Sequence, residues 1–181
     1  MRLQKYSMSQ LAFSACTVVF ALNSCLLVCG CAGVAGYSDQ SLFPQEISSI
    51  SLEMFDNRSF RRGVEYELSD ALAKRIESET PYKIASNADR ADSLMRGQIV
   101  SISESVLTTE REIGLALEKE VELKAIVTWK DLKTGKLLID NQTVTASASY
   151  SDYQMQDFGY ASAIAANKLA QKIVELMEKN W

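Results

Sequence analysis

Val121-Glu122-Leu123-Lys124-Ala125-Ile126-Val127-Thr128-Trp129 alternates side-chain character at nearly every step. Val121, Leu123, Ala125, Val127 and Trp129 share one face, and Glu122, Lys124, Ile126 and Thr128 share the other. That period of two is the mark of a half-buried β-strand. Asp131-Leu132-Lys133-Thr134-Gly135-Lys136 follows as a hairpin loop, with Gly135 free to take a positive φ. Leu137 to Tyr150 reads as the return strand, and its second half, running on to Ser151 from Thr143, is small and hydroxylic.

Working outward, Ala91 to Leu107 reads as a longer strand, where Gly97 implies a bulge or a close neighbour. Between the two long strands, Thr108 to Ala116 is weakly patterned, with a turn expected at Gly114. Upstream, Ile50, Leu52 and Met54 alternate with Ser49, Ser51 and Glu53 in a first strand from Ile47 to Phe55, and a turn follows at Asp56-Asn57-Arg58-Ser59. Gly63 to Glu79 is helical, because Val64, Leu68, Ala71, Leu72 and Ile76 recur on one face, opposite Glu65, Glu67, Asp70, Lys74 and Arg75. Thr80-Pro81 ends the helix. Tyr82 to Ala85 is a short extended piece before a turn at residues 86–89. From Asp157 a second helix carries Ala166, Leu169, Ala170, Ile173, Leu176 and Met177 as its stripe, with Lys179 suiting the dipole at its end. The order β-α-β-β-β-α predicts an α+β fold, with two helices packed on one face of a mostly antiparallel four-stranded sheet.

The N-terminus sets the compartment. Arg2 and Lys5 precede a mostly apolar run from Leu11 to Val28, which reads better as a secretory signal than as a membrane span. Val28-Cys29-Gly30-Cys31 has the shape of a lipobox, so Cys31 is expected to become a diacylated, N-acylated first residue. Leu22-Asn23-Ser24-Cys25, placing the lipid on Cys25, and an uncleaved anchor helix are the alternatives. The expected organisation is a lipoprotein signal peptide over 1–30, a lipidated N-terminus and tether over 31–45, and one domain over 46–181. Ala32, rather than Asp, follows the lipidated cysteine, which favours the periplasmic face of the outer membrane.

Composition removes most chemistries. The four cysteines (16, 25, 29, 31) all lie in or at the end of the signal, so the mature chain has no internal disulfide and rests on its apolar core. Without Arg2 and Lys5, 17 of the 19 basic residues remain against 23 acidic ones, leaving −6, a poor balance for nucleic acid. There is no histidine, so neither a Ser-His-Asp, a Cys-His nor a His-metal site can be built. Lys133-Thr134-Gly135 matches part of a penicillin-binding signature, but no Ser-x-x-Lys supplies the nucleophile. Glu110, Glu112, Glu118, Glu120 and Glu122 read as a solvated strand edge. No enzyme activity, metal or cofactor other than the lipid on Cys31 is expected.

Several motifs carry a family resemblance. Ser41-Leu42-Phe43-Pro44, Ile47-x-x-Ile50, Met54-Phe55-x-Asn57-x-Ser59-Phe60-Arg61-Arg62 and Glu67-Leu68-x-x-Ala71-Leu72 run in order. Thr80-Pro81-Tyr82-Lys83 and Ala91-Asp92-Ser93-Leu94-x-x-Gly97-x-Ile99 follow, and Gly36-Tyr37 stands shortly after the lipobox. The pattern resembles the LptE family of lipopolysaccharide-assembly lipoproteins, in its planctomycete branch more than its enteric one. The resemblance implies two helices on a four-stranded sheet, binding of lipopolysaccharide, and a plug inside an LptD-type outer-membrane β-barrel. The hydroxylic strand from Thr143 to Ser151 suits a wet barrel wall, or is an ordinary exposed sheet face.

Lipopolysaccharide is anionic through its phosphates, so its contacts are expected among cations. Arg61 and Arg62 flank a helix N-terminus, where the dipole disfavours positive charge, and are candidates. Lys124, Lys130, Lys133 and Lys136 around the hairpin form a second group. Ordinary solvated side chains are the alternative in both cases. A structural or regulatory envelope lipoprotein, associated with peptidoglycan or a secretion complex, is the competing function.

Overall fold

The computed structural model describes residues 42–110 and 116–178. The readings for the signal, for Cys25 and Cys31, for the turn at Gly114 and for Lys179 lie outside them. The chain runs β1 (Ser49–Leu52), β2 (Asp56–Asn57), α1 (Val64–Glu79), β3 (Lys83–Ala85), β4 (Ser93–Thr109), β5 (Ala116–Asp131), β6 (Leu137–Tyr150) and α2 (Phe158–Leu176), with 3₁₀ turns at Ala88–Arg90 and Asp152–Gln154.

The α+β class holds, but among the described residues the sheet has six strands and is mixed. Its order is β3-β1-β4-β5-β6, with β2 pairing β4 beyond the end of β1. β4, β5 and β6 form the expected antiparallel meander. β1 lies parallel to both β3 and β4, and β2 is also parallel to β4. The helix between β1 and β3 carries the chain back along the sheet, which makes the two strands parallel. The expected turn at Asp56 to Ser59 instead begins with the short strand β2.

The first strand is also shorter than its alternation suggests. β1 stops at Leu52, and Met54 is exposed while Phe55 is buried. The reason is Gly97, which lies under the Phe55 ring. A Cβ added at Gly97 would sit 2.2 Å from Phe55 Cε1, so the glycine marks a close neighbour. The register of β4 slips two residues further on, between Ile99 and Ser101.

One face of the sheet makes the core. Val121, Leu123, Ala125, Val127 and Trp129 are all buried, as the alternation requires, and so are Met95 and Ile99 opposite them. Val64, Leu68, Ala71, Leu72 and Ile76 of α1 bury the predicted stripe. The α2 stripe is buried too, except Leu176, which lies at its margin and is exposed. Trp129 Nε1 donates to Ser93 Oγ at 2.9 Å, and that hydroxyl donates to the Ser49 carbonyl, so the largest buried ring has its polar atom satisfied. Tyr82 packs edge-on between Phe43 and Trp129, and its hydroxyl donates to the Pro44 carbonyl. Burial raises its phenol above the ordinary range.

β6 is an edge strand, and such edges invite pairing with other chains. Here two lysines of α2 cap edge carbonyls: Lys168 Nζ donates to the Ser147 carbonyl at 3.0 Å and Lys172 Nζ to the Thr145 carbonyl at 2.7 Å.

Gly97→Ala is expected to destabilise the fold by about 1–3 kcal/mol through overpacking against Phe55. Urea unfolding of the single variant and of Gly97→Ala/Phe55→Leu checks it, with the smaller side chain recovering most of the loss.

Candidate interface

The segment from Asn57 to Glu65 is built around one buried amide. Asn57 Nδ2 donates to the Arg61 carbonyl at 2.8 Å and to Glu65 Oε2 at 2.6 Å. Its Oδ1 accepts from both the backbone N–H and the hydroxyl of Ser59. Glu65 also accepts from the Gly63 N–H at 3.0 Å, and Gly63 takes φ 103°, a conformation glycine reaches freely. Glu65 is therefore buried, not on the solvent side of the helix as its place in the wheel suggests. Burial pushes its carboxyl up, but hydrogen bonds from Asn57 and the backbone, with the Arg62 charge, outweigh that and hold it below the usual range. This loop leaves Phe60 fully exposed.

The same loop fixes both candidate arginines. Arg61 Nη2 pairs with Glu104 Oε2 at 2.8 Å, and its guanidinium lies 3.9 Å from the ring centroid of Phe158. Glu104 also accepts from the Tyr150 hydroxyl. Burial first, and that bond second, raise the Tyr150 phenol. Arg62 Nη1 donates to the Asn57 carbonyl at 3.0 Å. Both side chains thus have protein partners, which compensates for their place beside a helix N-terminus.

Lys130, Lys133 and Lys136 lie at the other end of the sheet, while Lys124 is opposite Ser101, three residues along β5 from Val121 but on the uncovered face. Glu104 is opposite Val121, whereas Lys130 is opposite Leu94, nine residues along β5 or roughly 30 Å at strand rise. The arginines and the hairpin lysines therefore do not make one anion site. Lys124 and Lys130 sit on the uncovered sheet face, and Lys136 is exposed beside the hairpin loop. Lys133 is tied down: its Nζ lies 2.6 Å from Asp92 Oδ1.

Asp92 is a junction that the residue pattern does not reveal. Besides Lys133, it accepts from the backbone N–H groups of Ser48 and Ser49 and from both hydroxyls. The Lys133 ammonium, then Ser48, hold its carboxyl far below the usual carboxylate range. The same pairing raises Lys133. Asp131 Oδ2 accepts from the Thr134 hydroxyl, the main cause that holds its own carboxyl low.

The face of the sheet turned away from the helices is dressed in hydroxyls. Cross-strand rows run Ser101-Lys124-Thr145, Ser103-Glu122-Ser147 and Ser105-Glu120-Ser149, so that each of these three charges on β5 is flanked by a hydroxyl on both sides. None of these residues is buried, and among the described residues no helix covers them. Towards its tip, β4 is exposed at every position from Ser103 to Thr109, including Val106 and Leu107. Among the described residues no group of acidic, cysteine or histidine side chains could hold a metal, and no helix is long and apolar enough to cross a membrane.

Comparison with known proteins gives the lineage of this arrangement. The LptE family, described as lipopolysaccharide-assembly, matches over residues 47–178. No curated protein matches by sequence. Among solved structures, an uncharacterised lipoprotein B from Nitrosomonas europaea is similar, with TM-score 0.52 at 14% identity, covering 78% of this chain and 88% of that one. A hypothetical protein from Chlamydia trachomatis superposes with TM-score 0.51 at 12% identity, over 71% of this chain and 94% of its own. At such identities these two structures support the fold alone.

Asp92 gives a pH-dependent expectation. A carboxyl whose folded pKa is depressed stabilises the fold above its unfolded value of about 4, and loses that contribution as pH falls towards the folded value. Asp92→Asn is therefore expected to melt below the wild type at pH 7, with the gap narrowing steadily as the pH is lowered below about 4. Thermal unfolding of both proteins across that range checks it.

Proposed function

The chain belongs to the LptE family of lipopolysaccharide assembly, and from that premise we propose that it is a non-catalytic lipoprotein of the outer membrane. It binds lipopolysaccharide and seats itself in an LptD-like β-barrel through which the glycolipid is inserted. Its lipid anchor is on Cys31, which leaves the folded domain on the periplasmic side. The observation that carries the barrel partnership is the uncovered sheet face. A barrel lumen is polar, and a plug that meets it needs a surface of hydroxyls and charges, not an apolar patch. The Ser-Lys-Thr and Ser-Glu-Ser rows supply that surface over three adjacent strands.

The anion-binding part of the proposal rests on Lys124, Lys130 and Lys136, which have no acidic partner among the described residues. Arg61, Arg62 and Lys133 serve the fold first, through Glu104, the Asn57 carbonyl and Asp92. Phosphate groups meeting the free lysines gain charge-assisted hydrogen bonds without breaking an existing pair.

Affinity capture of the tagged full-length chain from solubilised outer membrane is expected to recover a large β-barrel protein in stoichiometric amount, together with glycolipid. Lys124→Glu/Lys130→Glu is expected to reduce the glycolipid severalfold. Recovery of peptidoglycan or secretion components without a barrel would replace the proposal with the structural-lipoprotein alternative.

A further inference from the structure

A cleft of about 570 Å³ opens where the start of β5 and the end of β6 meet the start of α2, away from the lysines assigned to phosphate above. Thr108, Ser149, Ser151, Gln154, Gln156 and Tyr160 line it. Two of these groups support the walls: the Ser151 hydroxyl donates to the Leu117 carbonyl, and Gln156 Oε1 accepts from the Ser151 N–H. The hydroxyls of Thr108, Ser149 and Tyr160, the Gln154 amide and the N–H₂ of Gln156 have no partner among the described residues. Donors and acceptors that are mixed, uncharged and unpaired therefore converge on one concavity. Beside them stands the Tyr160 ring, 48% exposed. Between the two glutamines Met155 takes the left-handed conformation, φ 55°, which is costly for a side chain of its kind, and it is fully exposed there.

The charges at the cleft decide which ligand chemistry fits. A phosphate would need a free cation or open backbone N–H groups. Lys168 Nζ donates to the Ser147 carbonyl and shares the wall with Glu118, which offsets its charge, and Asp157 Oδ1 accepts from the Tyr160 N–H at the start of α2. Glu118 adds a negative charge to the wall. An acyl chain would need a continuous apolar lining, whereas here Leu117, Ala148 and Ile164 alternate with amides, hydroxyls and charges. A saccharide fits both conditions. Its hydroxyls both donate and accept, matching the hydroxyls of serine and threonine and the amides of glutamine, and the apolar face of a sugar ring packs on a tyrosine.

We propose that this cleft binds a neutral sugar unit of an envelope glycan, with Tyr160 as the stacking platform and Gln154 and Gln156 as hydrogen-bonding groups. The sugar comes either from the carbohydrate portion of a glycolipid, which rests on the function proposed above, or from a peptidoglycan strand, which does not.

Calorimetry on the full-length chain in detergent, with three probes, separates the cases. These are lipopolysaccharide oligosaccharide stripped of its acyl chains, soluble disaccharide-peptide fragments of peptidoglycan, and intact lipopolysaccharide. The stripped oligosaccharide is expected to bind, with Tyr160→Ala weakening it roughly tenfold, the scale of one lost ring contact. Gln154→Ala, an exposed position, is expected to weaken it in the same direction with the melting temperature unchanged. Binding of the peptidoglycan fragments alone, with the same dependence on Tyr160, would keep the saccharide site and discard the lipopolysaccharide reading. Binding of intact lipopolysaccharide but not of its stripped oligosaccharide would overturn the site and leave the proposed function standing. The site is equally overturned by sugar binding that ignores both substitutions, or by no binding of either glycan.

Discussion

β4 is where the two halves of this sheet meet, and the rest of the structure depends on how its backbone groups are paired. Along its full length it bonds to β5 in antiparallel fashion, and along its first half it bonds to β1 and β2 in parallel. Buried backbone N–H and C=O groups must find partners, so the small N-terminal strands are drawn into the sheet where the core is thickest. Gly97 lets this happen, because the Phe55 ring sits on the bare backbone between the β1 and β2 pairings. Beyond Ile99 no strand pairs the second edge of β4 among the described residues, and the Arg61–Glu104 pair is what ties the loop before α1 to that stretch. An exposed pair of this kind contributes about 0–1 kcal/mol, so it positions the loop more than it stabilises the fold.

Packing on one side only gives the molecule its character. Both helices cover the face that carries Val121 to Trp129, and the opposite face carries mostly hydroxyls and charges, among them Glu120, Glu122 and Lys124, with Ile126 half-buried between Gln98 and Thr143. A sheet face in that state needs neither a buried catalytic pair nor an apolar partner. It suits contact with another wet, polar surface, which is how the family assignment and the geometry meet. The two ends of the sheet then differ in chemistry. One holds the Asp92 junction and the free hairpin lysines; the other holds the Arg61–Glu104–Tyr150 chain and the cleft beside Tyr160.

Much of this was legible along the chain, because the signals are local. Alternation from Val121 to Trp129 and the stripe from Val64 to Ile76 gave both elements and their buried faces. The structure departs from the local pattern where a distant residue intervenes. Met54 continues the apolar alternation, but the space opposite Gly97 selects Phe55 instead. Glu65 lies on the polar side of the helical wheel, yet Asn57, eight residues earlier, draws it into the loop. Arg61 and Lys133 look like free cations until their partners are found 43 residues away at Glu104 and across the sheet end at Asp92. Parallel pairing of strands of two to four residues has no periodic signature, so the mixed sheet could not be read.

The central claim is that the uncovered hydroxyl face is the one that meets the barrel. Photo-crosslinking residues placed at Ser103, Glu122 and Ser147, compared with Asp70 and Asn167 on the helix layer, test it most directly in intact cells. The account predicts crosslinks to a β-barrel protein from the three sheet positions and few from the two helix positions. Crosslinks from the helix positions with none from the sheet would contradict it.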